Sequence, residues 1–173
     1  MITRPLLAAT LDNVKTLKFP VLVTPKLDGI RVLKVDGKAV TRKFKPIPNT
    51  HIRELLEKHL PDGIDGELMT SGSFNDIQSK VMSFDGQPEF TFYAFDYVST
   101  ELTEPYRVRV QKLFDIIQKQ NTPFRVVVLY PELVENENEA VLVGTLVNWS
   151  DTLDAITSIT IDNQPAIYTA NLS

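Results

Sequence analysis

A lysine, an aspartate, a glycine and an arginine lie within one short segment near the start of the chain, Lys26 to Arg31 (KLDGIR). Lysine amines act as nucleophiles in covalent catalysis, and the arginine fork suits phosphate or ribose oxygens. Asp28, two residues after Lys26 in an extended stretch, would share its face, and Gly29 would let the backbone approach a ligand closely. The segment is therefore a candidate active site, with Lys26 and Asp28 as its catalytic residues.

A nucleophilic Lys26 must lose its proton, although a lysine ordinarily titrates with a pKa of about 10.4. Apolar surroundings and nearby cations would both lower that pKa. The sequence provides an apolar wall: Val21, Val23, Leu27 and Ile30. From these residues alone a second interpretation stays open, in which the lysine and the arginine flank a solvated Asp-Gly turn.

Three further segments follow in the order 41–46 (TRKFKP), 65–68 (DGEL) and 92–98 (FYAFDYV). With the KLDGIR segment, this series resembles the covalent nucleotidyltransferases, and most closely the small ATP-dependent DNA ligases encoded by viruses and phages. The opening residues 5–11 (PLLAATL) look like the start of these ligases, and the resemblance runs from about residue 1 to about residue 138. It implies an α+β fold, the ATP-grasp-like ligase adenylation core of antiparallel sheets with packed helices.

The resemblance implies that Lys26 attacks the α-phosphate of ATP, expels pyrophosphate and holds AMP as a phosphoramidate. It assigns nucleotide binding to residues from several segments: Thr24, Pro25, Arg31, Glu67 and Phe95. AMP would pass to a 5′-phosphate at a DNA nick, which the 3′-hydroxyl then seals. The implied partners are ATP, Mg²⁺ or Mn²⁺, and nicked double-stranded DNA, with the metal ligands unassigned.

Two of these side chains also have roles that follow from their chemistry. The carboxylate of Glu67, on a strand, could accept hydrogen bonds from two ribose hydroxyls, or it could be a solvated residue at a strand end. Phe95 alternates with Tyr93 and Tyr97 on its strand. Such an aromatic plane could stack against adenine, or it could pack in the core.

Charge is unevenly distributed along the chain. Residues 1–125 hold all 18 Lys and Arg against 15 Asp and Glu, whereas residues 126–173 hold 7 Asp and Glu and no cation. Basic clusters at Arg42, Lys43 and Lys45 and at Arg107 and Arg109 could meet phosphate. The resemblance assigns Arg42, with Lys43 and Lys45 beside it, to the phosphate of nicked DNA, and the alternative is a solvated hairpin charge.

Hydrophobic periodicity and turn residues predict strands alternating with helices. The predicted helices run from a cap at Asn49 to His59, from Ser73 to Met82 and from Glu104 to Gln120. The predicted strands are 19–26, 30–35, 39–42, 64–69, 89–98, 124–130, 141–149, 156–161 and 166–168. Asp36-Gly37 is a hairpin turn signal between the second and third of these strands.

The composition fits one core, with 173 residues of which 43% are hydrophobic. The absence of cysteine excludes disulfides and thiolate nucleophiles. We expect a cytoplasmic protein with no membrane partner, because neither a signal peptide nor an apolar run of about 18 residues is present.

The last part of the chain departs from the ligase pattern, which continues with a Glu-Gly motif, a Lys-x-Lys motif and an OB-fold domain. We expect residues 1–140 to form a partial, incomplete adenylation domain without an OB-fold domain, and residues 141–173 to form an acidic extension of unknown role. Activity would be impaired without the missing motifs. A non-catalytic nucleotide- or nick-binding module, an RNA-end ligase and a protein partner for the acidic part stay open as alternatives.

Overall fold

The computed structural model describes residues 5, 8–10, 15, 18–25, 27–72, 74–98, 104–136, 156–161 and 167–171. In this part the chain forms ten strands and three helices, so the predicted α+β class is confirmed. The chain divides into two compact units. The first comprises Met1–Pro5, Gly29–Thr103 and Arg109–Val128, and the second comprises Leu6–Asp28, Glu104–Val108 and Leu129–Ser173.

The first unit is built on a five-stranded sheet of order β4-β3-β5-β6-β7. Its strands are β3 (Ile30–Val35), β4 (Lys38–Thr41), β5 (Ile64–Met69), β6 (Thr91–Tyr97) and β7 (Arg125–Val128). The pairs are antiparallel except β6 with β7, which is parallel. Each of these strands lies within a stretch that the sequence predicts as a strand, apart from β4, which begins one residue earlier.

A two-residue turn joins β3 to β4, as the Asp-Gly signal predicts. Val35 pairs with Lys38, and Asp36 and Gly37 have φ values of 49° and 78°. Positive φ at both central positions is the geometry of a type I′ turn, whose twist matches that of the flanking strands.

Helix α1 (Thr50–His59) begins and ends with side-chain hydrogen bonds. The Oδ1 atom of Asn49 accepts a hydrogen bond from the backbone N–H of Ile52 at 2.9 Å, which confirms the predicted cap. At the other end the amine of Lys34 donates to the carbonyl of Leu60 at 2.6 Å. The buried Ile52 and Leu56 lie on one face of the helix.

Two more helices follow, α2 (Phe74–Met82) and α3 (Tyr106–Gln118). Both agree with the predicted helices to within two residues, and Ser73, the predicted start of α2, lies outside the described residues. The largest fully buried side chains of the first unit come from its strands, its helices and the loop before α1: Val32, Ile47, Ile52, Leu56, Ile64, Leu68, Ile77, Val81, Phe92 and Leu113.

The second unit has a sheet of order β1-β10-β9-β2-β8. Its strands are β1 (Ala8–Thr10), β2 (Val21–Pro25), β8 (Glu132–Val134), β9 (Ile156–Ile161) and β10 (Ile167–Asn171). Strand β2 pairs with β8 and β9, both antiparallel, and β1 runs parallel to β10. The strand predicted at 141–149 lies outside the described residues. No helix in the described ranges is long and apolar enough to cross a membrane.

Candidate nucleotide-binding site

Arg31 and Asp65, on neighbouring strands of the first unit, form a bidentate ion pair. The Nε atom of Arg31 donates to Oδ1 of Asp65 at 2.9 Å, and Nη2 donates to Oδ2 at 2.6 Å. The pair is largely removed from solvent, with side-chain exposures of 14% and 4%. Two parallel charge-assisted bonds fix the guanidinium plane, so Arg31 is held in one orientation.

Burial changes the protonation chemistry of both partners. Burial raises the pKa of Asp65 to about 6, although the hydrogen bond and charge of Arg31 act in the opposite direction. Burial alone would lower the pKa of Arg31, but the hydrogen bond and charge of Asp65, with the charges of Glu67 and Asp96, raise it above its ordinary value. At neutral pH the pair is therefore ionised on both sides.

Glu67 lies opposite Arg31 in the register of β3 and β5 and reaches back to the start of β3. Its Oε1 atom accepts a hydrogen bond from the backbone N–H of Gly29 at 3.1 Å. Glu67 is half-buried, so it differs from a solvated residue at a strand end. Its carboxylate is held in place by the strand that follows the KLDG residues.

Gly29 is needed because the backbone at this position passes very close to β5. A Cβ atom at this position would clash with the backbone carbonyl oxygen of Leu68 and with the sulfur of Met69. Only a residue without a side chain lets the start of β3 pass so close to β5. The backbone that Gly29 approaches in this structure is thus a neighbouring strand.

Phe95 is the extra residue of a β-bulge. Asp65 pairs with Asp96, and the next residue of β5, Gly66, pairs with Ala94, so Phe95 has no register partner on β5. The guanidinium carbon of Arg31 lies 5.2 Å from the centroid of the Phe95 ring, within the range of a cation–π contact. Phe95 is half-buried while its neighbours Ala94 and Asp96 are buried, so the ring is not part of the fully buried core.

Arg109 of α3 forms a second buried ion pair, with Asp96. Its Nε donates to Oδ1 of Asp96 at 2.9 Å and its Nη2 donates to Oδ2 at 3.2 Å. The sequence-based suggestion that Arg109 meets phosphate is wrong, because its side chain is only 7% exposed and is bound to a carboxylate. The helical spacing indicates this burial, since Arg109 lies on the same buried face of α3 as Val110 and Leu113.

The remaining residues predicted for catalysis and nucleotide binding are Thr24, Pro25, Lys26 and Asp28, which belong to the second unit. Lys26, the predicted nucleophile, lies outside the described residues. Thr24 is buried in β2 opposite Ser158 of β9, Pro25 is the last residue of β2, and Asp28 is exposed. The first unit by itself brings together Gly29, Arg31, Glu67 and Phe95.

The basic segment Arg42 to Lys45 forms a tight exposed loop after β4. The N–H of Thr41 donates to the carbonyl of Lys45 at 2.8 Å, and Phe44 adopts a φ of 57°. Arg42, Lys43 and Lys45 are all exposed. In the ranges that the structure describes, no group of three or more His, Cys, Asp or Glu could hold a metal ion.

Comparison of this fold with solved structures identifies close relatives. One crystal structure of Chlorella virus DNA ligase-adenylate is 30% identical in sequence, with a TM-score of 0.83, and covers 98% of this chain and 68% of the viral chain. The chain belongs to the ATP-dependent DNA ligases of the small viral type. A second structure of the Chlorella virus ligase-adenylate gives 29% identity and a TM-score of 0.86, covering 99% of this chain and 68% of that one.

The ligase fold recurs in more distant proteins. A Lig E DNA ligase is 21% identical, with a TM-score of 0.77 over 95% of this chain and 64% of its own length. No protein-family model and no curated protein matches the chain in sequence. The structural likeness to the viral ligases covers nearly the whole chain, whereas the resemblance seen in the sequence runs only to about residue 138.

Proposed function

We propose that the chain carries out the nucleotidyl-transfer chemistry of an ATP-dependent DNA ligase. Lys26 attacks the α-phosphate of ATP, and pyrophosphate leaves as the phosphoramidate with AMP forms. AMP then moves to the 5′-phosphate at a DNA nick, and attack by the 3′-hydroxyl releases AMP and joins the strands. Asp28 assists at the catalytic centre, and Thr24 and Pro25, just before Lys26, contact the nucleotide.

The observation that carries this proposal is the meeting of three motif segments in the first unit. Arg31 comes from the segment after Lys26, Glu67 from DGEL and Phe95 from FYAFDYV. Arg31 contacts the Phe95 ring, and Glu67 binds the backbone of Gly29. A half-buried aromatic ring, a fixed carboxylate and an oriented guanidinium are the groups that adenine, ribose hydroxyls and a ribose or phosphate oxygen would need.

The exposed basic loop supports a role in binding nicked DNA. Arg42, Lys43 and Lys45 present three cations to solvent from a loop closed by backbone hydrogen bonds. Phosphate contacts of this kind position a protein on a duplex without reading its sequence. A divalent metal, Mg²⁺ or Mn²⁺, is the expected companion of ATP. The described carboxylates form no ready metal site, so the proposal rests on the nucleotide-binding residues.

Incubation with ATP labelled at the α-phosphate and Mg²⁺, followed by denaturing electrophoresis, tests the covalent step. We expect label on the wild-type protein and none on Lys26→Arg, because arginine keeps the charge but offers no titratable amine. The matched control is Lys18→Arg, which changes an exposed lysine and should leave labelling intact. Label that survives in Lys26→Arg would refute the assignment of the nucleophile.

A second candidate function, a non-catalytic nucleotide- or nick-binding module, is favoured by the absence of Lys and Arg from residues 126–173. No lysine in that stretch can neutralise the triphosphate as pyrophosphate leaves, so we propose that adenylylation by these 173 residues alone is slow. The division at residue 140 and a protein partner for the acidic part remain proposals too. Binding of AMP without any covalent label would identify the module.

A further inference from the structure

Four charged side chains of the first unit form a buried row that extends beyond the nucleotide site. Arg31 on β3 binds Asp65 on β5, Asp65 lies opposite Asp96 on β6, and Asp96 binds Arg109 on α3. The order of charges along the row is cation, anion, anion, cation. Arg31, the first member, is itself proposed to bind the nucleotide, and its guanidinium carbon lies 5.2 Å from the centroid of the Phe95 ring.

The two carboxylates in the middle of the row oppose each other electrostatically. Register partners on neighbouring antiparallel strands have their Cβ atoms about 4.5 to 5.5 Å apart, and like charges directly opposite are destabilising. Asp65 and Asp96 are each only 3% exposed, so water screens this repulsion little. The charge of Asp96 acts on both Asp65 and Arg31. Two buried carboxylates need two cations, and α3 supplies the second.

The bulge couples this row to the ring. Phe95 is the extra residue of the bulge and directly precedes Asp96, so the position of its backbone depends on where Asp96 is held. Hydrogen bonds from two residues hold the Asp96 carboxylate, because its Oδ1 accepts from Nε of Arg109 at 2.9 Å and from the backbone N–H of Tyr97 at 2.8 Å. The carboxylate of Asp96 therefore anchors the backbone on the far side of Phe95.

We propose that Arg109, acting through Asp96, is a positioning residue for the nucleotide site, which keeps Arg31 on Asp65 and Phe95 under Arg31. Without Arg109, Asp96 is a buried carboxylate that has lost two charge-assisted bonds. It competes with Asp65 for Arg31, and the guanidinium then leaves the orientation that places it over Phe95. This inference rests on the proposed nucleotide-binding role of Arg31 and Phe95.

The experiment measures AMP binding by calorimetry on proteins shown by circular dichroism to be folded at the temperature used. We expect Arg109→Met to weaken AMP binding by about tenfold or more, because small misplacements of binding groups have effects of this size. The double variant Asp96→Asn/Arg109→Met removes one charge of each sign and should bind AMP within about threefold of wild type. Arg109→Lys, which keeps the charge but not the fork, should fall between them.

The matched control is Arg125→Met, which removes an exposed arginine of the same unit and should leave AMP binding unchanged. A folded Arg109→Met that binds AMP as wild type does would overturn the inference, as would a folded double variant as weak as the single one. If Arg109→Met does not fold, Arg109→Lys takes its place in both comparisons. A folded Arg109→Lys that binds AMP as wild type does, or a folded double variant as weak as Arg109→Lys, would then overturn the inference. Loss of AMP binding in the wild type itself would instead overturn the proposed function.

Discussion

Arg31 serves two neighbours with one planar group. The Nε and Nη2 atoms of the guanidinium bind the Asp65 carboxylate, and the guanidinium carbon lies 5.2 Å from the centroid of the Phe95 ring. A lysine could not make both contacts in the same way, because its ammonium group is a point charge. It has neither a planar face nor two parallel N–H donors for a carboxylate. The orientation of this single side chain therefore links the buried Asp65 carboxylate to the half-buried Phe95 ring.

The raised pKa of Asp65 predicts a dependence of stability on pH. The folded protein holds the Asp65 proton up to about pH 6, whereas the ordinary pKa of the group is 3.8. Protonation of Asp65 therefore contributes its full stabilisation of the native state below pH 3.8, and this stabilisation is lost as the pH rises through about 6. We expect the free energy of unfolding of the wild type, relative to Asp65→Asn, to fall by about 2 to 3 kcal/mol across this window.

Urea unfolding of both proteins at several pH values between 3.5 and 7 (roughly the window set by the two pKa values) measures this difference. A difference that does not change with pH, or that rises with pH, would show that burial does not raise the pKa of Asp65. Because the comparison is between two proteins, the titration of groups outside this charge network cancels to first order.

Replacing Phe95 tests the proposed adenine platform. We expect Phe95→Ala to weaken AMP binding by about 5- to 150-fold, since stacking of a base on an aromatic ring contributes about 1 to 3 kcal/mol. Phe95→Tyr keeps the ring and should bind AMP nearly as well as wild type. Phe84→Ala, which removes a ring that is 69% exposed, is the control. Equal AMP affinity of Phe95→Ala and wild type would remove Phe95 from the site.

The sequence predicts which side chains belong to the candidate site but not how they pair. Arg31, Glu67 and Phe95 were assigned from motif letters, whereas the partner of Arg31 depends on the register between β3 and β5. No local pattern encodes a register between strands that are 30 residues or more apart. All the functional roles remain predictions. These are catalysis by Lys26 and Asp28, nucleotide binding by Thr24, Pro25, Arg31, Glu67 and Phe95, and phosphate binding by Arg42, Lys43 and Lys45.

Helix α1 and the loop after α2 are joined through one amide side chain. The Nδ2 atom of the fully buried Asn49 lies within hydrogen-bond distance of the carbonyls of Ser83, Asp85 and Gly86, at 3.0, 3.2 and 3.3 Å. The same side chain caps α1 through Oδ1. Asn49 therefore stabilises two elements that are more than 30 residues apart in sequence.

Asn49→Ala should lower the free energy of unfolding by about 2 to 4 kcal/mol, since both the cap and the bonds to buried carbonyls are lost. Asn49→Ser keeps a capping oxygen but not the amide donors and should show an intermediate loss. Gln78→Ala, at an exposed position of α2, should change stability by less than about 0.5 kcal/mol. Thermal or urea unfolding gives the three values, and a Ser variant no better than Ala would argue against a separate contribution from the cap.

Elements defined by local signals were the most predictable part of the fold. The Asp36-Gly37 turn and the Asn49 cap act within a few residues, so the sequence identifies them directly. Sheet order is different in kind. The parallel pairing of β6 with β7, and the position of β2 between β8 and β9, depend on contacts between distant segments. Periodicity predicts that these segments are strands but not which strand each one pairs with.

At the scale of the whole molecule the distribution of charge predicts how DNA binding responds to salt. The chain carries a net charge of −4, yet the loop Arg42 to Lys45 presents three exposed cations. We expect Arg42→Ala/Lys43→Ala/Lys45→Ala to reduce the slope of log affinity against log salt by about 2 to 3, because each phosphate contact contributes about 0.9. Fluorescence anisotropy on a nicked duplex at several salt concentrations measures the slope.

The control for net charge removes three exposed lysines elsewhere in the first unit, namely Lys38, Lys58 and Lys119. Both triple variants change the formal charge equally, so general electrostatic attraction falls by a similar amount in each. If the two slopes fall equally, the basic loop has no special role in contacting DNA. A larger fall in the loop variant supports direct phosphate contacts.

During synthesis on the ribosome the two sheets become possible at different times. The sheet of the first unit needs no residue after Val128, whereas the sheet that contains β2 is complete only when residues 156–171 have emerged. The ribosome must therefore add about 40 more residues, which takes roughly 2 to 8 seconds at ordinary elongation rates. Meanwhile the edge of β2 that later pairs with β9 is an exposed strand edge, open to chaperones or to another nascent chain.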